Sequence, residues 1–497
     1  MNKGRFILIC IFLCNFLLAQ KPVIYYSAYA SKSQKDHTIS LIKFFKEVSS
    51  KNAVGVVDGY NIEIEKEITV KNINNLELSF KNSNLYSNKR FSGFFINFLN
   101  SKNIKIDGFS VEMFRSKIQT YIKEDYPNIF NGGLGFKGCE NIEVKNSKFL
   151  NLYTRSIQIT ESYGNVSINN NFFSSKKQNQ KYLLEHVVFG SSQNAVISVS
   201  KNRFDNEIYE NPDFGIAAIS GYGLGKNGGK VIIVDNYINN AGRNNSGQHR
   251  LYAIDFYDDC DNLLIKGNTF NNIMWGAVRF NGSSENIGIT DNNISIKNPD
   301  DTSCITSSTT GNSSYFRNIS IDNNSITTLS GLNSAIMLQN QFEKTKTENI
   351  SIKNNKINNS YNNIFILGYF DDVSVIQNVF KGTGSSMGIW FMLKNKQINK
   401  PIYIMGNKIN AFNTGISLNS KDNMINYNSF FVKNNEIITG NKEFKGFGII
   451  VNLGMKGNVN IEDNNILNYN TGLYIREKTV NTKLNKFTGN IKNMSRE

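Results

Sequence analysis

Cysteine is scarce in this sequence: five in 497 residues, two of them, Cys10 and Cys14, inside an apolar run at the N-terminus. The remaining three, Cys139, Cys260 and Cys304, allow one disulfide at most and have no metal-ligand spacing, which excludes a disulfide-stapled scaffold. Proline is equally rare, at five, so linkers rich in proline are excluded too. Beyond the first twenty residues no apolar run approaches the ~20 residues that span a bilayer, and no stable membrane insertion is expected. What is abundant is apolar side chains, 40% of the total, enough to bury a large core and to rule out a disordered chain.

Residues 1–20 carry Lys3 and Arg5, then the apolar run Phe6–Leu18, then Ala19 and Gln20. This is the layout of a secretory signal peptide cleaved near Ala19 or Gln20, so the mature protein is expected outside the cytoplasm, extracellular or periplasmic. The formal net charge is +15, from 55 basic and 40 acidic residues. Nucleic acid suits that balance, but secretion argues against it; an acidic polysaccharide is the expected partner of a secreted basic chain. Nothing matches a calcium-binding repeat or a phosphate loop, and a divalent cation such as calcium is compatible with the sequence without a motif for it.

From residue 60 onward one pattern recurs: apolar-x-apolar-x-x-Asn-x-apolar. It begins at Val166, Ile197, Val231, Leu263, Ile287, Ile319, Ile350, Val373, Ile402, Phe430 and Val459. The matching asparagines are Asn171, Asn202, Asn236, Asn268, Asn292, Asn324, Asn355, Asn378, Asn407, Asn435 and Asn464. Earlier units at Ile104 and Ile142 keep the apolar residues without that Asn. Alternating apolar residues make a short strand with one face inward, and an Asn between two such strands accepts the left-handed backbone of a tight bend. Stacked asparagines then form an amide ladder. A second strand, introduced by Gly, precedes many units, as in Gly276–Phe280, Gly388–Met392, Gly415–Leu418 and Gly472–Ile475.

With three strands per unit around one core, the sequence resembles the pectin lyase-like superfamily of right-handed parallel β-helices over nearly all of the mature chain. The expected fold class is therefore all-β, a parallel β-helix of about 13 to 14 coils with three sheets and an Asn ladder, monomeric. The expected division is a signal peptide over 1–20, an N-terminal cap over 21–75 and the helix over 76–497. Within the cap, a helix over 36–49 places Ile39, Ile42, Phe45 and Val48 on one face, with Asp36 or Thr38 as N-cap, and plugs the first coil.

The resemblance implies a site on the strand that follows the Gly signal, whose outward residues line a groove parallel to the axis. Counting back nine residues from each unit start puts Ile157, Val188, Ile254 and Val278 inward, and Gln158, Phe189, Asp255 and Arg279 outward. Tyr153, Arg155, Glu185, His186, His249, Arg250 and Trp275 lie just before these strands. The catalytic candidates are Asp255, Arg279, His249, Arg250, Glu185 and His186, because they neutralise charge or move protons; Arg155, Gln158, Trp275 and Tyr153 are candidates for holding substrate. A cross-strand ion pair is the alternative reading of Asp255 with Arg279. Asp258-Asp259-Cys260 is similar to a polygalacturonase motif, but its companion motifs are missing and no residue role is carried over.

Two functions follow from the resemblance and the cluster. One is an enzyme cleaving a uronic-acid-type polysaccharide. Elimination would use Arg279 or Arg250 with His249 or His186, and hydrolysis Asp255 with Glu185 or Asp258. The other is a non-catalytic, adhesin-like β-helix that binds glycans at a cell surface.

Overall fold

The computed structural model describes residues 21–113, 129–152, 154–175, 183–192, 194–207, 215–243, 252–297, 303–311, 313–328, 334–359, 361–382, 386–394, 400–410, 412–420, 426–439, 446–453, 456–476 and 480–496. They wind into a parallel β-helix whose coils each give one strand to each of three sheets. The first sheet holds the strands that open the repeat, such as Tyr163–Asn169, Ala195–Ser200 and Lys230–Val234. The second holds the short strands after the Asn, such as Phe172–Ser174, Arg203–Asp205 and Tyr237–Asn239. The third holds the longer strands, including Arg155–Thr160, Leu183–Gly190, Gly215–Tyr222, Tyr252–Phe256 and Gly276–Phe280.

The second sheet has 16 strands, which exceeds the count read from the sequence. The additional coils open at Val54–Asp58, Asn74–Lys81 and Val480–Lys483, where the repeat lacks part of its signature. Pairing of Val54–Asp58 with Asn74–Lys81 also shows that coiling starts well before residue 76.

Register explains the core. Val166 pairs with Ile197 and Ile197 with Val231, so one rung places like side chain over like side chain on the inward face. Phe149, Phe173 and Phe204 stack in this way, with centroids 5.0 Å and 4.6 Å apart.

The asparagines do form a ladder. The backbone N–H of Asn171 donates to Asn202 Oδ1 at 2.9 Å and its Nδ2 donates to the same oxygen at 3.0 Å and to the Val144 carbonyl at 3.0 Å. The pattern continues to Asn464, whose Nδ2 donates to Asn485 Oδ1 at 2.9 Å, and Ser147 takes the Asn position where the repeat lacks it, its N–H donating to Asn171 Oδ1. The left-handed backbone, however, belongs to the residue before each ladder Asn: Asn170, Lys201, Asp235, Asp291, Asn323, Asn354, Gln377, Asn434 and Asp463 all have φ near 55°. The ladder Asn is thereby left free to hold its amide across the bend.

Helix α1, Thr38–Ser50, closes the first coil. Its N-cap position is His37, while Asp36 Oδ1 accepts the Thr38 N–H at 2.9 Å. The buried face is Leu41, Phe44, Phe45 and Val48; Ile39 is 65% exposed, so the face is rotated from the one expected. The helix lies against Gly55, where an added Cβ would come within 2.8 Å of Phe44 and Val48, and this rotates the contact toward 41 and 44. No helix among the described residues is long and apolar enough to cross a membrane.

Candidate functional site

The outward row of the third sheet is read from its register. Asn97, Gly135, Gln158, Val188, Ser220, Asp255, Arg279 and Thr306 follow one another on successive rungs. A second outward row, three residues earlier in each strand, contains Arg155, Glu185 and Ala217. Two placements differ from the sequence expectation. Phe189 is fully buried in the core and Val188 takes the outward place, and the strand Gly215–Tyr222 adds Ser220 between Val188 and Asp255. The reason is turn length: Ile157 lies nine residues before Val166, but Val187 lies ten before Ile197 and Ile219 twelve before Val231.

Asp255 and Arg279 are paired through both oxygens. Arg279 Nε donates to Oδ1 at 2.6 Å and its NH2 group to Oδ2 at 2.7 Å, while the Tyr252 N–H donates to Oδ2 at 3.1 Å. The Arg279 guanidinium sits 5.1 Å from the Tyr252 ring centroid. The Asp255 side chain is wholly buried and that of Arg279 is 21% exposed, so the pair presents its cationic end to solvent. Burial pushes the Asp255 carboxyl above the usual carboxylate range, Arg279 pulls it down, and Glu185 pushes it up.

Glu185 forms a second pair on the same face. Arg155 reaches its Oε2 from Nε at 3.2 Å and from NH2 at 3.1 Å, and donates from NH1 to Gln158 Oε1 at 2.7 Å. The Ser220 hydroxyl donates to Glu185 Oε1 at 2.6 Å. Ser220 is also the rung neighbour of Asp255, so the two pairs lie close together along the sheet, and the Glu185 charge acts on Asp255. Arg155, Gln158, Glu185 and Ser220, followed by Asp255 and Arg279, thus form two adjacent polar groups along the axis.

Among the described residues, His186 and Trp275 do not join them. His186 points into the core: it is 1% exposed, its Nδ1 shares a hydrogen bond with Ser156 Oγ at 3.0 Å and its Nε2 one with Asn206 Oδ1 at 2.9 Å, between Phe173 and Phe204. Glu185 and His186, neighbours along the strand, face opposite ways. Trp275 is 3% exposed in the turn before Gly276, against Gly242, and presents no open face. Tyr153, His249 and Arg250 lie outside the described residues. Asp258 and Asp259 follow the strand on a turn, where Asp259 pairs with Lys226 at 2.7 Å. Among the described residues no group of three side chains is arranged to hold a metal ion.

One outward feature escaped the sequence reading. Further along the same row lie Met337, Phe365 and Trp390, on consecutive rungs, with the Phe365 and Trp390 rings stacked 4.2 Å apart at 15°. The signal was present in Gly388-Ile-Trp-Phe-Met392, where Trp390 occupies the alternate, outward position.

No protein-family model and no curated protein matches the chain. Solved structures do. A mutant tailspike protein of E. coli bacteriophage HK620 is similar over 96% of this chain and 79% of its own, at 11% identity and a TM-score of 0.36. A surface adhesin of Streptococcus pneumoniae is similar over 83% and 91%, at 11% identity and 0.35. The catalytic unit of an alpha-1,3-glucanase from Streptomyces thermodiastaticus is similar over 94% and 68%, at 9% identity and 0.27. The chain's own three parallel sheets carry the assignment of fold. It has a parallel β-helix fold.

Proposed function

We propose that this protein binds an anionic polysaccharide along the third sheet, over the rungs that carry Arg155, Gln158, Glu185, Ser220, Asp255 and Arg279. The observation behind this reading is the two neighbouring arginine–carboxylate units with their cationic ends toward solvent. Each guanidinium is held in place by its carboxylate, so it meets sugar hydroxyls and carboxylates without first losing side-chain freedom. The pairs are neutral overall; the preference for an anionic polymer rests on the +15 balance of the whole chain.

Hydrolysis is the second reading, favoured by Glu185, a carboxylate still 13% exposed beside a second carboxyl, Asp255, that burial drives toward the protonated form. Elimination has less support, because His186, one of its two candidate bases, is enclosed in the core.

Affinity electrophoresis through gels cast with polygalacturonate, alginate or hyaluronan tests the first reading. At least one polymer should retard the protein, less so at high salt, and Arg279→Leu should weaken the retardation. Migration unaffected by all three would reject an acidic glycan ligand. New reducing ends, lost in Glu185→Gln, would establish hydrolysis. We also propose that a leader ending near Gln20 carries the chain out of the cytoplasm; mass spectrometry of exported protein should then find a chain beginning near Lys21, and an intact Met1 would refute it.

A further inference from the structure

The polar groups end abruptly along their own sheet. After Arg279 and Thr306, the outward row reads Met337, Phe365, Trp390, Ser417, Ile450 and Tyr474, without one charged side chain. Met337, Phe365, Trp390, Ile450 and Tyr474 are each half-buried, and Met392 flanks them on the neighbouring row. Solvent-facing positions of a strand are usually polar, and the corresponding row of the first sheet reads Ser320, Ser351, Ser374, Tyr403, Phe431 and Asn460, in which the stacked Tyr403–Phe431 pair is a shorter apolar stretch than the one on the third sheet. The stacked Phe365–Trp390 block is rigid, since each ring holds the other, so an apolar contact there costs little ordering.

From this we infer a second glycan subsite, an apolar strip centred on Phe365 and Trp390 that takes the C–H faces of distal sugar rings of the same polysaccharide bound at Arg279. The inference rests on the proposed function and adds the ligand's length and character to it. Arg279 and Trp390 are four rungs apart on one straight row, about 19 Å at ~4.8 Å per rung. A pyranose is comparable to one rung in length, so only a chain of more than about four sugars spans both places. A sugar chain is also the one linear partner whose repeating rings offer hydroxyls at their edges and apolar C–H patches on their faces, matching a polar stretch continuous with an apolar one.

The test uses oligosaccharides of four and eight sugars cut from whichever of polygalacturonate, alginate or hyaluronan retards the protein. Titration calorimetry measures the affinities, and tryptophan emission of the unaltered protein reports contact at the strip, because Trp275 is enclosed and Trp390 is the tryptophan a ligand reaches. The octamer should change the emission and bind about fivefold or more tighter than the tetramer, and Trp390→Ala and Met337→Gln should each reduce that advantage severalfold. Equal affinity for the two lengths in the unaltered protein would overturn the inference without relying on a variant. So would loss of binding in Arg279→Leu with full binding in Trp390→Ala, which leaves the proposed function standing. If no polymer binds, the proposed function falls and the subsite with it. A dimer or trimer in sedimentation that Trp390→Ala dissociates would assign the strip to contact between copies instead.

Discussion

At the scale of single residues, Asp255 and Arg279 are the informative pair. From the sequence both stand outside the core, and truncating Arg279 is expected to leave the fold intact. The structure reverses that expectation, because the Asp255 carboxylate is wholly buried and its attractive partners are Arg279 and one backbone N–H. Arg279→Ala should therefore lower stability by about 3 kcal/mol, the usual cost of stranding a buried charge, and the loss should shrink in the double variant Asp255→Asn, Arg279→Met. Urea unfolding midpoints measure both; an unchanged midpoint in Arg279→Ala would show that water reaches the carboxylate. A second residue-scale effect concerns Lys201 and Gln377, which, with Leu484, hold φ values of 54° to 56° in a column otherwise filled by Asn, Asp and Gly. Lys201→Asn and Gln377→Asn should each raise stability by about 0.5 to 1 kcal/mol, seen as a higher urea midpoint, since Asn adopts the left-handed region at less cost.

Among the elements, the Asn ladder and the N-terminal cap respond in different ways. Asn324 Oδ1 accepts both the N–H and the Nδ2 of Asn292, and its own Nδ2 donates to the Ile289 carbonyl at 2.8 Å. Asn324→Leu orphans these buried groups and should cost about 3 to 5 kcal/mol, measured by calorimetry or urea. A cost below about 1 kcal/mol would show the ladder to be dispensable. In the cap, His37 is 1% exposed, its Nδ1 2.8 Å from the Tyr26 hydroxyl, with Tyr60 beside it and Asp36 next in the chain. Burial lowers its pKa, outweighing Asp36 and a backbone hydrogen bond that raise it. A histidine with a depressed folded pKa binds its proton more readily when unfolded, so stability falls as the pH drops below about 6.5, by up to about 1.4 kcal/mol per pH unit. His37→Gln should flatten that slope; hydrogen exchange of α1 between pH 7 and pH 5 would show it.

As a whole molecule the protein is a rod. Sixteen rungs in the second sheet at ~4.8 Å give an axis of about 72 Å. Small-angle scattering should find a maximum dimension no shorter than that, and a compact particle of smaller span would contradict the coil count. The coils differ in their load along this axis: polar chemistry sits on the third sheet near Asp255, and its apolar continuation follows toward Tyr474.

The repeat was legible in the sequence because identical rungs demand identical inward residues, so Val166, Ile197 and Val231 announce themselves, and so do their asparagines. Asp255 and Arg279 could be aligned because the turns after their strands have equal length. Ser220 and Val188 could not, since longer turns shift the count and a slip of one residue exchanges inside for outside. The opposite facings of Glu185 and His186, the burial of Asp255, and the Ser220 hydrogen bond to Glu185 were likewise decided only by the tertiary structure. They depend on what the neighbouring coil places alongside, and that contact joins residues 24 or more positions apart.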